Sequence, residues 1–210
     1  MQQITPDFSA AADNNKQPIL AVLRQVLGAS GRALEIASGT GQHVSFFASH
    51  MPHWHWQPTD GNPLSLPSIA AYTAQQNLRN VAQPVLLDVL APCWLPADAS
   101  TGETPQFDAI YCANMLHIAP WACSTALMQG AARHLTPEGC LITYGPYLED
   151  DVPTAPGNLA FDQSLRARNP DWGVRRREDL EQMAALVGLK LAERHSMPVN
   201  NLLLVWRRLA

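Results

Sequence analysis

Residues 33–43 read Ala-Leu-Glu-Ile-Ala-Ser-Gly-Thr-Gly-Gln-His, an apolar run that ends in a turn of small residues, with one acid, Glu35, just inside it. Positions 33–37 lack the polar/apolar alternation of a half-exposed strand, so they are expected to form a central parallel strand covered on both faces. Ser38-Gly39-Thr40-Gly41 then lets backbone approach a ligand without interference from Cβ atoms. A helix is expected to begin at Gly41 or Gln42. Its unpaired N–H groups would aim back at the turn and offer a seat for a carboxylate or hydroxyls. The stretch reads as a nucleotide-cofactor loop.

Working outward, strand and helix signals alternate, the pattern of a doubly wound α/β sheet. Helices are expected over residues 14–27, 64–78, 120–134 and 177–187, and strands over 55–58, 84–87, 107–113 and 139–144. Two last strands, 190–195 and 202–207, are separated by only six residues, too few for a parallel crossover, so the final strand should run antiparallel to its neighbour. Residues 145–173 follow the fifth strand as a long Pro-, Asp- and aromatic-rich insertion with a short helix near 158–167. A loop of that length is read as a lid. Residues 96–105 read as a loop with no evident chemistry. The 210 residues suit one domain, 1–210.

Composition narrows the classes. With 47% hydrophobic residues, 15% charged and a net charge of −4, the chain reads as a globular protein whose bulk charge does not point to nucleic acid. Arg166, Arg168 and the run Arg175-Arg176-Arg177 could contact phosphate, but such a run before an acidic helix start is expected to be a solvated loop. No stretch reaches the ~20 apolar residues of a membrane span, and the first twelve residues have neither the cationic start nor the apolar core of a signal peptide, so a cytoplasmic location is expected. Cys93, Cys112, Cys123 and Cys140 sit singly in or beside apolar segments and read as buried reduced thiols. His50, His53 and His55 lack a carboxylate or cysteine to complete a ligand set, so no metal is expected.

Two cofactor classes compete for the loop. A dinucleotide fingerprint would place its third glycine at position 44, where Val44 stands. The loop instead resembles the glycine-rich signature of S-adenosylmethionine-dependent methyltransferases, an acid on strand one followed by Gly-x-Gly-x-Gly, with Glu35, Gly39 and Gly41 matching and Ala37 replacing the first glycine. The loops after the next strands supply further groups. Asp60 lies 19 positions beyond Gly41 and can accept both ribose hydroxyls. Asp88 can accept the adenine amino group, with Val89 against the ring, and Asn114-Met115 lines the floor beneath the sulfonium.

Beyond the loop, the chain resembles class I S-adenosylmethionine-dependent methyltransferases and is most similar to the methyltransferase-like protein 26 family, an uncharacterised group. The resemblance is carried by Asp13-Asn14-Asn15-Lys16-Gln17-Pro18-Ile19, the loop from Leu34 to His43, Trp56-Gln57-Pro58-Thr59-Asp60, Asn114 to Trp121, Tyr144-Gly145-Pro146-Tyr147, Asp171 to Arg175, and Met197-Pro198-Val199-Asn200-Asn201. It implies a Rossmann-like seven-stranded sheet and S-adenosylmethionine as cofactor, with S-adenosylhomocysteine as product. It names no acceptor. Cofactor contacts are expected from Lys16, through the methionine carboxylate, and from Glu35, Ala37, Ser38, Gly39, Thr40, Gly41, His43, Asp60, Asp88, Val89, Asn114 and Met115. His117, an imidazole expected to titrate near working pH and placed after strand four, is the candidate base. Tyr144, Tyr147, Trp172, Asn200 and Asn201 form an aromatic wall with amide donors, suited to a small, largely uncharged acceptor. A non-catalytic cofactor-binding protein with a regulatory or partner-binding role is the alternative, and a nicotinamide oxidoreductase is disfavoured by Val44 and the terminal hairpin.

Overall fold

Alternate residues of the inner strands go to opposite faces of the sheet and join different cores, as a period of two requires. In the computed structural model, which describes residues 5–97 and 102–209, β1 (Gly31–Ile36) and β4 (Phe107–Ala113) show this most clearly. Ala33, Ala109 and Tyr111 face one core, whereas Leu34, Ile36, Ile110 and Cys112 face the other. The first core is closed by α1 (Ala10–Val26), α2 (Gln42–His50) and α3 (Leu66–Gln75), through Ile19, Leu23, Val44, Phe47 and Ile69. The second is closed by α4 (Trp121–His134), which supplies Leu127 and Met128, and by α6 (Arg177–Ala185), which supplies Leu180 and Ala184.

The other strands are β2 (Trp54–Asp60), β3 (Val85–Leu86), β5 (Leu135–Leu148), β6 (Arg175–Arg176), β7 (Leu189–Met197) and β8 (Asn201–Arg208). The main sheet runs β3-β2-β1-β4-β5-β8-β7, with β8 antiparallel to both β5 and β7. The chain therefore winds one way from β1 and the other way from β4. This opens a crevice at the carboxyl ends of those two strands, where ligands of such sheets sit. The doubly wound sheet and its antiparallel end are as expected. The two-residue β6 is an addition, pairing parallel to the end of β5 through Tyr147 and Leu148.

Some boundaries differ from expectation for identifiable reasons. Helix α1 begins at Ala10, four positions early, because Ser9 caps it by accepting the Ala12 N–H. The insertion after β5 contains α5 (Pro156–Arg168), which starts at a proline suited to a first turn. Of the loop read at 96–105, residues 98–101 lie outside the described residues. Of the cysteines read as buried, Cys112, Cys123 and Cys140 are, but Cys93 is exposed, because it falls in irregular chain between β3 and β4 and not in a core strand or helix.

Candidate functional site

The end of β1 is bolted to the end of β2 by three hydrogen bonds. Ser38 N–H donates to the Thr59 carbonyl at 2.8 Å, Thr59 N–H to Ser38 Oγ at 3.1 Å, and Thr59 Oγ1 to the Glu35 carbonyl at 2.7 Å. Asp60 then folds back over the turn. Its Oδ2 accepts the Gly39 N–H and its Oδ1 the Asn62 N–H, both at 2.8 Å. Each oxygen keeps a second lone pair.

Three residues of the turn are left-handed: Ala37 at φ 55°, Gly39 at 58° and Gly41 at 90°. The two glycines serve different ends. A Cβ on Gly41 would lie 2.6 Å from Ile69 Cα, so this glycine lets α3 pack on the loop, whereas a Cβ on Gly39 would meet none of the described residues within 4 Å. Gly39 thus faces open space. Ala37 adopts the backbone a glycine would take without strain, the physical reason the loop signature has glycine there. Val44 is fully buried in the core beside Phe47, so the dinucleotide position is filled with packed side chain.

Glu35 is 1% exposed, and its Oε2 is a buried oxygen without a hydrogen-bond partner among the described residues. Burial pushes its pKa up to about 8, opposed by a Ser38 hydrogen bond and reinforced by Asp60. Behind it runs a buried polar chain. His43 Nε2 meets Asn15 Oδ1 at 2.6 Å, its Nδ1 lies 3.4 Å from the Tyr111 hydroxyl, and its ring stacks on Phe47. The Tyr144 hydroxyl is hydrogen-bonded by Asn15 and accepts Asn201 Nδ2 at 3.0 Å. Burial lowers the His43 pKa to about 4 despite a contact with the Ala12 backbone, and the Lys16 charge adds to the shift. The expected loop residue His43 thus ties α2 to α1 as a neutral ring. Asn15, which the sequence reading placed in a family-like segment without a role, is the hub of the chain.

The remaining positions are less uniform. Asp88 is exposed, with Oδ1 accepting the Leu90 N–H at 2.9 Å. Val89 is buried, and its carbonyl accepts Trp94 Nε1 at 3.0 Å. Asn114 is left-handed at φ 58°, with its N–H on the Tyr144 carbonyl. Met115 packs against the core as it leads into the 3-10 turn Leu116–Ile118. Lys16 was expected near a helix start in need of a partner. Because α1 starts earlier, Lys16 sits in its second turn, paired with Asp13 and lying over the Phe46 ring at 5.3 Å. The segment ahead of α1 is also tied to the loop. Ser9 N–H donates to Gln42 Oε1 at 2.5 Å, and Asp7 N–H to Ser68 Oγ, which itself donates to the Thr40 carbonyl, each at 2.8 Å.

His117 is buried under α5, its ring edge-on to Phe161 with centroids 5.4 Å apart. Its titration was expected near working pH. Burial, with the charges of Arg175 and Arg168, lowers its pKa to about 4, so the ring is neutral at pH 7. Arg175 corrects the reading of the arginine run as a solvated loop. It is 7% exposed, donates from Nε to the Leu116 carbonyl at 2.8 Å and from Nη2 to the carbonyls of Ala119 and Asp171, and lies over the Trp121 ring. Carbonyls satisfy this buried cation, a solution that residue spacing does not display. Arg176 pairs with Asp150 and Asp179, and Arg177 with Glu149, Glu178 and Glu181, so acids neutralise the rest of the run.

Beyond Tyr144, a cavity of about 180 Å³ lies between the segment leading into α5 and the β7–β8 turn, lined in part by Tyr147, Asn158, Asn200 and Asn201. Tyr144 and Trp172 do not line it. Tyr144 touches it through Asn201, and Trp172 lies under the Arg168 guanidinium at 5.7 Å. The turn is tight. Val199 and Asn200 are both left-handed, at φ 59° and 55°, and Asn201 N–H closes on the Pro198 carbonyl, the geometry of a type I′ hairpin turn.

This architecture is that of the class I methyltransferase fold. Its likenesses among solved structures include the S-adenosylmethionine-dependent methyltransferase SibL in its apo form, with TM-score 0.76 and 19% identity over 96% of this chain and 56% of that one. An O-methyltransferase family protein from Burkholderia thailandensis gives TM-score 0.74 and 18% identity over 93% and 56%. An O-methyltransferase family 2 protein from Planctomyces limnophilus, in complex with apigenin, gives 0.71 and 17% over 92% and 62%. The chain spans little more than half the length of the first two. Residues 6–208 match the family described as protein of unknown function (DUF938), and the chain belongs to that family.

Proposed function

We propose that this chain is an S-adenosylmethionine-dependent methyltransferase that acts on a small-molecule acceptor and releases S-adenosylhomocysteine. One observation carries the reading: at the carboxyl ends of β1 and β2, an unpartnered buried oxygen of Glu35, the open face of Gly39 and the spare lone pairs of Asp60 meet. The residues fit such a cofactor. Glu35 would answer its cationic end, the backbone at Ala37, Ser38, Gly39, Thr40 and Gly41 would lie along it, and Asp60 would take the ribose hydroxyls. Asp88 and Val89 would hold the adenine end, with Asn114 and Met115 beneath. Lys16, already paired with Asp13, would reach the carboxylate only by sharing its charge, and His43 would act by fixing the loop.

Bound there, the cofactor would supply an electrophilic methyl group to an acceptor heteroatom, its sulfur keeping the C–S electron pair as S-adenosylhomocysteine. The chain's own part is to align the acceptor, exclude water and receive its proton. His117 offers a neutral ring nitrogen for that proton, and the part of residues 145–173 that lies beyond β5 acts as the lid that keeps water out. The names of the structural neighbours, one S-adenosylmethionine-dependent and one holding apigenin, support both the cofactor and the small acceptor. Membership of the methyltransferase-like protein 26 group and a cytoplasmic location belong to the same proposal.

Calorimetry with S-adenosylmethionine, S-adenosylhomocysteine and a nicotinamide cofactor tests it. Micromolar binding of the first two, lost in Asp60→Ala, is expected. Binding of the nicotinamide alone would sink the reading, and binding without label transfer to any metabolite fraction would favour the regulatory alternative.

A further inference from the structure

The cavity beside the β7–β8 turn has a lining specific enough to say what it takes. Tyr147, Met197 and Leu202 give it an apolar side. On the polar side, Asn158 Nδ2 is committed to the Asn200 carbonyl and Asn201 Nδ2 to the Tyr144 hydroxyl, each at 3.0 Å. Asn201 Nδ2 also reaches the Pro198 carbonyl at 3.4 Å, so both its N–H groups are taken, and one of the two on Asn158; the side-chain oxygens of Asn158 and Asn201 stand as acceptors suited to O–H or N–H donors on a ligand.

Charge at the cavity is already balanced. Arg194 grips Glu149 with both arms of its fork, Nε to Oε1 at 2.8 Å and Nη2 to Oε2 at 2.6 Å, and its Nη1 donates to Ser196 Oγ. Glu149 is nearly buried and also pairs with Arg177 at 2.9 Å. An anionic ligand would meet a carboxylate whose arginine is spent, and a cationic one would meet a carboxylate already answered twice.

Chains of side-chain contacts link the cavity to both halves of the candidate site. Asn158 and Phe161 are three residues apart on α5 and share a face; the first lines the cavity and the second touches the His117 ring. Asn201 reaches the glycine-loop helix through Tyr144, Asn15 and His43. We infer that this cavity holds the methyl acceptor, and that the acceptor is an uncharged, ring-sized molecule bearing hydroxyl or N–H donors. The inference rests on the methyltransferase reading above.

The test uses three probes of one size, catechol, benzoate and benzylammonium, titrated into the protein at pH 7 while the side-chain amide resonances of Asn158, Asn200 and Asn201 are followed. Catechol should move those resonances and bind at least about tenfold more tightly than either ion. Asn158→Leu should weaken catechol at least about fivefold. Ala155→Phe, which fills the rim and leaves the amides in place, should abolish binding. Saturating S-adenosylhomocysteine should leave catechol bound. Equal affinity for benzoate, shifts that map elsewhere, indifference to Ala155→Phe, or displacement by S-adenosylhomocysteine would each overturn the assignment. Cofactor calorimetry reads the methyltransferase reading separately, so failure of one does not pass for failure of the other.

Discussion

Arg175 Nε donates to the carbonyl of Leu116 at 2.8 Å, so a buried cation from the far end of the insertion holds the residue just before His117. The same guanidinium reaches Ala119 and Asp171, and the Gly173 N–H closes on the His117 carbonyl at 3.0 Å. Turn and insertion form one unit. Arg175→Ala leaves the carbonyls without their charged donor and should cost about 2–4 kcal/mol. Arg175→Lys should recover little of this, since an ammonium cannot reproduce the planar fork. Hydrogen exchange should speed up over residues 116–119 and 156–173 and stay slow in β1 and β4.

His117 lies under Phe161 with a pKa lowered to about 4. His117→Gln should change cofactor affinity less than about twofold and slow transfer about 10²-fold. Because the ring is neutral down to about pH 4, the rate should show no titration from His117 between pH 5 and 8. A rate-limiting pKa near 6.5 that vanishes in the variant would refute this.

Glu35 makes stability depend on pH in a definite direction. Its folded pKa, about 8, lies above the ordinary 4.5, so the native state holds a proton that the unfolded chain has released. That contribution is fully present below about pH 4.5 and is lost as pH rises through 8. His43 and His117 act oppositely. Their folded values near 4 give stability that is present above 6.5 and lost as pH falls toward 4. Between pH 6.5 and 8, only Glu35 among these three should tilt the curve. Urea unfolding across that window should show falling stability in the wild type and a flatter curve in Glu35→Gln.

A cationic ligand group answering Glu35 would also expel its proton. Calorimetry of S-adenosylmethionine binding at pH 7 in buffers of different ionisation enthalpy should therefore report proton release, absent in Glu35→Gln. Equal apparent enthalpies in all buffers would count against Glu35 as the partner.

Val199 sits at φ 59° with a β-branched side chain that is 83% exposed, so it bears left-handed strain with little packing in return. Val199→Asn, suited to a type I′ turn, should stabilise the chain by about 1 kcal/mol, raising Tm by about 2–4 °C. A lowered Tm would mean that the valine serves a contact outside this chain.

The sheet was legible because its signals are local. The unalternating apolar run at residues 33–37 announced a doubly covered strand, and the six-residue link at 196–201 required an antiparallel end. The glycine turn and Asp60 were legible for the same reason, since strand ends at fixed spacing bring them together. Arg175 and Asn15 were not, because a cation capped by carbonyls and an amide bridging a histidine to a tyrosine depend on partners far apart in the chain. Trp172 shows the converse. It looked like an acceptor wall by composition, yet it stacks beneath Arg168, a pairing four residues back on a helix end that sequence alone leaves undecided.

The two amides that fasten the approach to α1, those of Asp7 and Ser9, are main-chain donors. Such a buckle is blind to side-chain identity at residue 7 and forbids only proline, which has no hydrogen to give. A protease nick just before Ala10 would unfasten it while sparing every side chain of the glycine turn, so intact mass rather than composition should tell a competent preparation from a loosened one.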